Sequence, residues 1–182
     1  IRTLELENVK SYERETIVFG RGINAICGPN GAGKSTIIEA IGYALFAESP
    51  ARRMSSWVRE GAKTATVTVT LLANDEREYQ VVRKCGSQSQ YYIYDPELKQ
   101  RVADKAEDVA DWLRGQLGVE DSADLSALFR DAVGVPQGLF TAAFLQTASN
   151  RRAVFDPLLR VEEYNQAFAN LLEARHTLEQ HS

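Results

Sequence analysis

Chemistry first shows in Gly28-Pro-Asn-Gly-Ala-Gly-Lys-Ser35, which fits the pattern G-x-x-x-x-G-K-[ST]. Glycines at these positions let the backbone curl until successive N–H groups point inward at anionic oxygens. A helix starting near Lys34 adds its unsatisfied N–H groups and the positive end of its dipole. Lys34 then reaches the β- and γ-phosphates of a nucleotide as a point charge, and the Ser35 hydroxyl offers a hard oxygen to Mg²⁺. A glycine loop that merely turns the chain is the bland alternative. The flanking context decides against it: an apolar run precedes the loop and an amphipathic helix follows.

A complete site of this kind also needs an acidic residue at the end of another apolar strand, to hold the metal and orient water. The nearest candidate is Leu71-Leu-Ala-Asn-Asp75-Glu76. It fails physically, because the preceding residues alternate with threonine and Asn74-Asp75 opens a turn. No Leu-Ser-Gly-Gly stretch exists, and Leu125-Ser126 is followed by Ala-Leu. The chain is therefore expected to bind nucleotide and to hydrolyse it poorly by itself.

The positioning elements follow from periodicity. Thr3–Val9 alternates as a half-buried strand, Lys10–Arg14 turns, and Glu15–Phe19 returns. Gly22-Ile-Asn-Ala-Ile-Cys27 reads as a short strand inside a sheet, with Cys27 as a small core residue rather than a reactive thiol. Lys34–Phe46 has Ile37, Ile38, Ile41, Ala44 and Leu45 at helical spacing. Ala47–Ala62 is irregular. Thr64–Leu72 and Glu78–Lys84 form a hairpin around Asn74-Asp75, and Gln90–Tyr94 is a further strand. Asp104–Leu117 is a helix stopped by Gly118, with Asp124–Val133 and Leu139–Leu145 as helices after it. From Val161 onward Tyr164, Phe168, Leu171, Leu172, Arg175 and Leu178 make one stripe, whose natural partner is a second helix.

The whole chain sets looser bounds. A formal net charge of −4 argues against a surface coated for nucleic acid, while a local basic face remains compatible with it. Two cysteines make no disulfide framework and suit a reducing compartment. No apolar run approaches the length of a bilayer span, so no membrane is expected. The chain opens at Ile1 without methionine and stops in a helical pattern at Ser182, which reads as a piece of a longer protein.

Asn8-Val-Lys-Ser11, Gly22-Ile-Asn-Ala-Ile26, Gly28–Thr36 and Ile38-Glu-Ala-Ile-Gly-Tyr-Ala-Leu-Phe46 together resemble the SMC-like ATPases of DNA repair. Gln137-Gly138 and Leu159-Arg-Val-Glu-Glu-Tyr164 point within that group to the SbcC and Rad-fifty family. The resemblance implies an α/β fold: the N-terminal lobe of a P-loop, ABC-type ATPase head. In it a central sheet carries the phosphate-loop helix, with an adjoining antiparallel sheet and a helical subdomain. Residues 1–160 would form the lobe and 161–182 the start of a coiled coil.

It also implies ATP and Mg²⁺ as cofactors. The implied partners are the C-terminal lobe of the same protein, a second copy of the head joined through ATP, an SbcD-type nuclease and double-stranded DNA. The setting would be cytoplasmic or nucleoid-associated, and nuclear in a eukaryote. By this resemblance Asn30, Gly31, Ala32, Gly33, Lys34, Ser35 and Thr36 hold the triphosphate, and Ser35 with Gln137 completes the Mg²⁺ shell. Lys34 and Gln137 carry the catalytic role. Lys10 falls where the family often has an arginine near the nucleotide, and Arg59 and Lys63 fall near its base and ribose contacts.

Two departures bear on this. Lys10 lacks the planar fork of arginine, and Pro136 stands before Gln137 where a basic residue is common. From the residues alone Gln137 reads as a water-facing loop glutamine, and only the resemblance makes it a ligand. Arg52, Arg53, Arg59 and Lys63 either touch phosphate or form a solvated loop, and Arg151, Arg152 and Arg160 read as surface helix residues. Two other functions fit a similar loop: a structural SMC-type DNA tether without a nuclease, and an ABC transporter motor.

Overall fold

The structure is a computed structural model that describes residues 1–49, 51, 53–134, 147–159 and 161–180. Six strands form one antiparallel sheet in the order β2-β1-β3-β4-β5-β6. They are β1 (Thr3–Val9), β2 (Tyr12–Val18), β3 (Thr64–Leu72), β4 (Glu78–Gly86), β5 (Gln90–Asp95) and β6 (Gln100–Ala103). Alternation explains the sheet's core face: Leu4 and Leu6 of β1 and Val67 and Val69 of β3 are buried, while Glu5 and Glu7 are exposed. At Asn8 a left-handed φ of 54° breaks the alternation, and Val9 is the fully buried residue there. Asparagine tolerates that conformation better than most side chains.

Helix α1 (Lys34–Phe46) lies on the core face, burying Ile37, Ala40, Tyr43, Ala44 and Phe46 against the sheet. Helix α2 (Ala106–Leu117) covers the β5 and β6 side through Val109 and Leu113. It ends on Gly118 at φ 68°, the left-handed stop its sequence signals. Asp124 caps α3 (Leu125–Leu128) by accepting from the Ser126 and Ala127 N–H groups. The chain continues as a π-helical turn over Phe129–Val133, and beyond it run helices α4 (Ala148–Leu159) and α5 (Val161–Gln180). On α5 the apolar residues Tyr164, Phe168 and Leu171 are exposed.

Three expectations are corrected. Gly22–Cys27 is not an interior strand: no described strand pairs with it, Ile23 is fully exposed, and Cys27 is exposed rather than a core residue. An apolar run records a capacity for burial; burial itself needs neighbours on both edges, and no described element supplies them. Among the described residues the hairpin β3–β4 does not form a second sheet beside a central one. Instead β3 pairs directly with β1, from Thr3↔Thr70 to Glu7↔Thr66. The third concerns the second strand, which starts at Tyr12 and not at Glu15, because the connection from β1 is only Lys10-Ser11. The expected helix Leu139–Leu145 lies outside the described residues, as do Arg52 and Arg160.

Candidate functional site

The loop from Gly28 enters α1 through Gly33, whose backbone is left-handed at φ 89°, ψ 10°. Gly31 shares a left-handed φ of 81°. These two positions make the curl that the pattern anticipates, and only glycine adopts it without strain. No side chain caps the start of α1, which leaves the Lys34 and Ser35 N–H groups without a capping partner. Ala32 N–H donates to Pro29 O at 3.3 Å, and Thr36 N–H donates to Gly33 O at 3.0 Å. The Lys34 ammonium folds back over the loop, donating to Gly28 O at 2.9 Å and Pro29 O at 2.7 Å. A loop crossed by an ammonium and opening onto helix N–H groups has the chemistry to hold an anion.

The described candidates divide around this loop. Asn30, Gly31, Ala32 and Ser35 are exposed, Gly33 and Lys34 are half-buried, and the Thr36 side chain is buried. The exposed Ser35 hydroxyl in the first turn of α1 suits Mg²⁺, which takes hard oxygen ligands mostly from phosphate and water. Gln137 lies outside the described residues.

Lys10 is engaged beside the loop rather than in it. Its Nζ is 2.6 Å from Glu39 Oε2, on α1, and 4.8 Å from the centre of the Trp57 ring. Arg59 is tied to the β1–β2 turn, donating from NH1 to Ser11 O at 2.9 Å. Lys63 is exposed on a cleft of about 460 Å³ that also takes in Met54, Val58 and Arg59. The irregular segment is anchored to that same turn: Arg59 N–H donates to Asn8 O and Lys10 N–H donates to Trp57 O. The structure thus gathers Lys10, Arg59 and the loop around one hairpin turn.

Sequence reading passed over Tyr12. Its hydroxyl lies 3.3 Å from Gly33 O and 3.4 Å from Ala32 O. A Cβ at Gly33 would stand 2.7 Å from its ring. The available signal was one aromatic residue at the head of a strand that continues Glu-Arg-Glu-Thr. Asp75, the rejected acidic candidate, sits in the β3–β4 turn. It accepts from the Tyr79 hydroxyl and the Arg77 N–H, and these bonds, the tyrosine's first, hold its carboxyl below the usual range.

A family model described as an AAA domain matches residues 3–181. The chain belongs to the AAA domain family. It is 34% identical over 173 residues to a DNA double-strand break repair Rad50 ATPase of Methanopyrus kandleri, covering 92% of this chain and 19% of that protein. A Rad50 ATPase of Aeropyrum pernix is 30% identical over 180 residues, covering 94% of this chain and 19% of its own length. A solved structure from work on ATP-driven dimerisation and DNA-stimulated activation of SMC ATPases superimposes with a TM-score of 0.63 at 26% identity. That match covers 86% of this chain and 98% of the other. This AAA domain spans about a fifth of the length of the curated relatives it matches. Its likeness to SMC-type and Rad50-type ATPases agrees with the family resemblance of its sequence, and its fold is that of a P-loop, ABC-type ATPase head. Among the described residues no helix is long and apolar enough to cross a membrane.

Proposed function

We propose that this AAA domain is the nucleotide-binding N-terminal lobe of an SMC-like ATPase head, which dimerises on ATP and regulates double-strand-break end processing with an SbcD-type nuclease. One observation carries the reading: the uncapped start of α1, with Lys34 bridging the carbonyls of a left-handed glycine loop. Lys34 neutralises the β- and γ-phosphates, and the N–H groups entering α1 hold their oxygens. Ser35, with Gln137 as the second protein ligand, holds the Mg²⁺ that offsets phosphate charge. Lys10, released from Glu39, and Arg59 with Lys63 on their cleft complete the nucleotide contacts.

The proposed division keeps residues 1–160 as the lobe and 161–182 as the start of a coiled coil. Two exposed apolar features support a C-terminal lobe as partner: Ile23 before the loop, and Tyr164, Phe168 and Leu171 along α5. That lobe would bring the acidic strand end, so ATP turnover requires both halves. Likeness to an SMC ATPase structure favours one second reading, an ATP-gated DNA tether without a nuclease.

The test is to co-purify the chain with the C-terminal piece of its own gene and measure mass with and without Mg-ATP, using Lys34→Ala as control. Doubling on ATP, lost in the control, supports the head. ATP binding with no change of mass would sink the dimerising clamp and leave only the nucleotide site. DNA association without capture of a nuclease would favour the tether.

A further inference from the structure

Tyr12 touches the phosphate loop through the carbonyls of Ala32 and Gly33. Its hydroxyl shares one proton between Gly33 O and Ala32 O, at 3.3 and 3.4 Å. All described peptide bonds are trans, and in a planar trans peptide the C=O and the following N–H point in opposite directions. Drawing the Ala32 and Gly33 carbonyls toward Tyr12 therefore turns the Gly33 and Lys34 N–H groups away from it, into the concavity of the loop. The ring enforces the same arrangement by occupancy. It fills the space beside Gly33, where any Cβ would stand 2.7 Å from its edge.

Tyr12 is itself well fixed. It opens β2, pairs across the turn with Val9, and packs against the hydrophobic core. The hairpin is also bonded to the irregular segment at two backbone points, Lys10 N–H to Trp57 O and Arg59 N–H to Asn8 O. A rigid hairpin thus meets a loop whose glycines have little conformational preference of their own.

We propose that Tyr12 is a positioning residue for triphosphate binding, orienting the Gly33 and Lys34 amides toward phosphate oxygens through the carbonyls behind them. This deepens the reading of the loop as a nucleotide site and rests on it. Tyr12 touches no phosphate; it acts through the peptide planes.

The test compares Tyr12→Phe, Tyr12→Leu and Lys34→Ala in the full-length protein, measuring Mg-ATP affinity and the melting temperature without nucleotide. Tyr12→Phe keeps the ring and loses the hydroxyl, so affinity should fall by about threefold to tenfold with the melting temperature unchanged. Tyr12→Leu should fall further, because the loop loses the ring as well. Wild-type affinity in both variants would overturn the inference. So would affinity losses that merely track a lowered melting temperature, since that is a packing role. Failure of the wild type to bind, or undiminished binding by Lys34→Ala, would overturn the nucleotide site and this inference with it. If only Tyr12 proves silent, the site reading stands.

Discussion

Helix α1 has two unlike ends. At its start Gly33 makes no side-chain cap, and the loop residues ahead of it are largely exposed. At its finish Tyr43, Leu45 and Phe46 are buried, and the Phe46 ring packs 5.1 Å from Phe129. Two of the last four carbonyls are taken by side chains: Arg83 NH1 donates to Tyr43 O at 2.5 Å, and the Tyr91 hydroxyl donates to Ala44 O at 2.9 Å. The Arg83 guanidinium stacks against both rings, 4.1 Å from Tyr43 and 4.6 Å from Tyr91, and its charge complements the negative end of the helix dipole. A helix end with satisfied carbonyls anchors. One with unpaired N–H groups is available to an anion. The contrast assigns stability to one end and ligand affinity to the other, and substitutions can separate them.

The largest effect is expected at the open end. Gly33→Ala places a side chain at a φ of 89°, costing about 1–2 kcal/mol in conformation, and its Cβ collides with Tyr12. Mg-ATP affinity should drop by about tenfold or more. A binding titration that finds wild-type affinity would break the division between the ends.

At the closed end Arg83→Met removes a charge-assisted bond and two ring contacts, with an expected loss of about 1–2 kcal/mol in folding stability. Urea unfolding measures this, and the affinity of the folded protein for ATP should barely change. An affinity loss without a stability loss would reverse the assignment.

The smallest effect depends on pH. Burial pushes Tyr43 and Tyr91 up from 10.0 to about 12, against the opposing charge of Arg83. Because the folded values are raised, their contribution is complete below pH 10 and is lost as pH rises through about 12. Tyr91→Phe should flatten that loss in unfolding curves recorded across the interval. An unchanged slope would show that the Tyr91 phenol does not contribute.

Much of this helix was legible beforehand. The glycine loop and the apolar spacing from Ile37 to Leu45 set its bounds at Lys34–Phe46, and these are the observed ones. Strand β3 was equally clear, because threonines alternate with Ala65, Val67 and Val69. Other features depend on neighbours that local pattern does not contain. The four-residue edge strand β6 has one strong strand former, Val102, which is exposed, and it exists through pairing with β5. Trp57, completely buried, came from a segment with no periodicity and is held by the turn at Lys10. Gly22–Cys27 shows the reverse, a strand pattern without described partners. Within the site, the loop residues were evident from spacing. Tyr12 was not, because its contact with Gly33 spans 21 positions.

Direct titration of Mg-ATP and of adenosine into the full-length protein and its Lys34→Ala variant tests the central claim. Wild-type protein should bind Mg-ATP far more tightly than adenosine. Lys34→Ala should erase most of that difference, because losing charge-assisted contacts to phosphate costs about a hundredfold. Equal affinity for adenosine and ATP, or a Lys34→Ala variant that still prefers ATP, would contradict the claim that the open end of α1 binds phosphate.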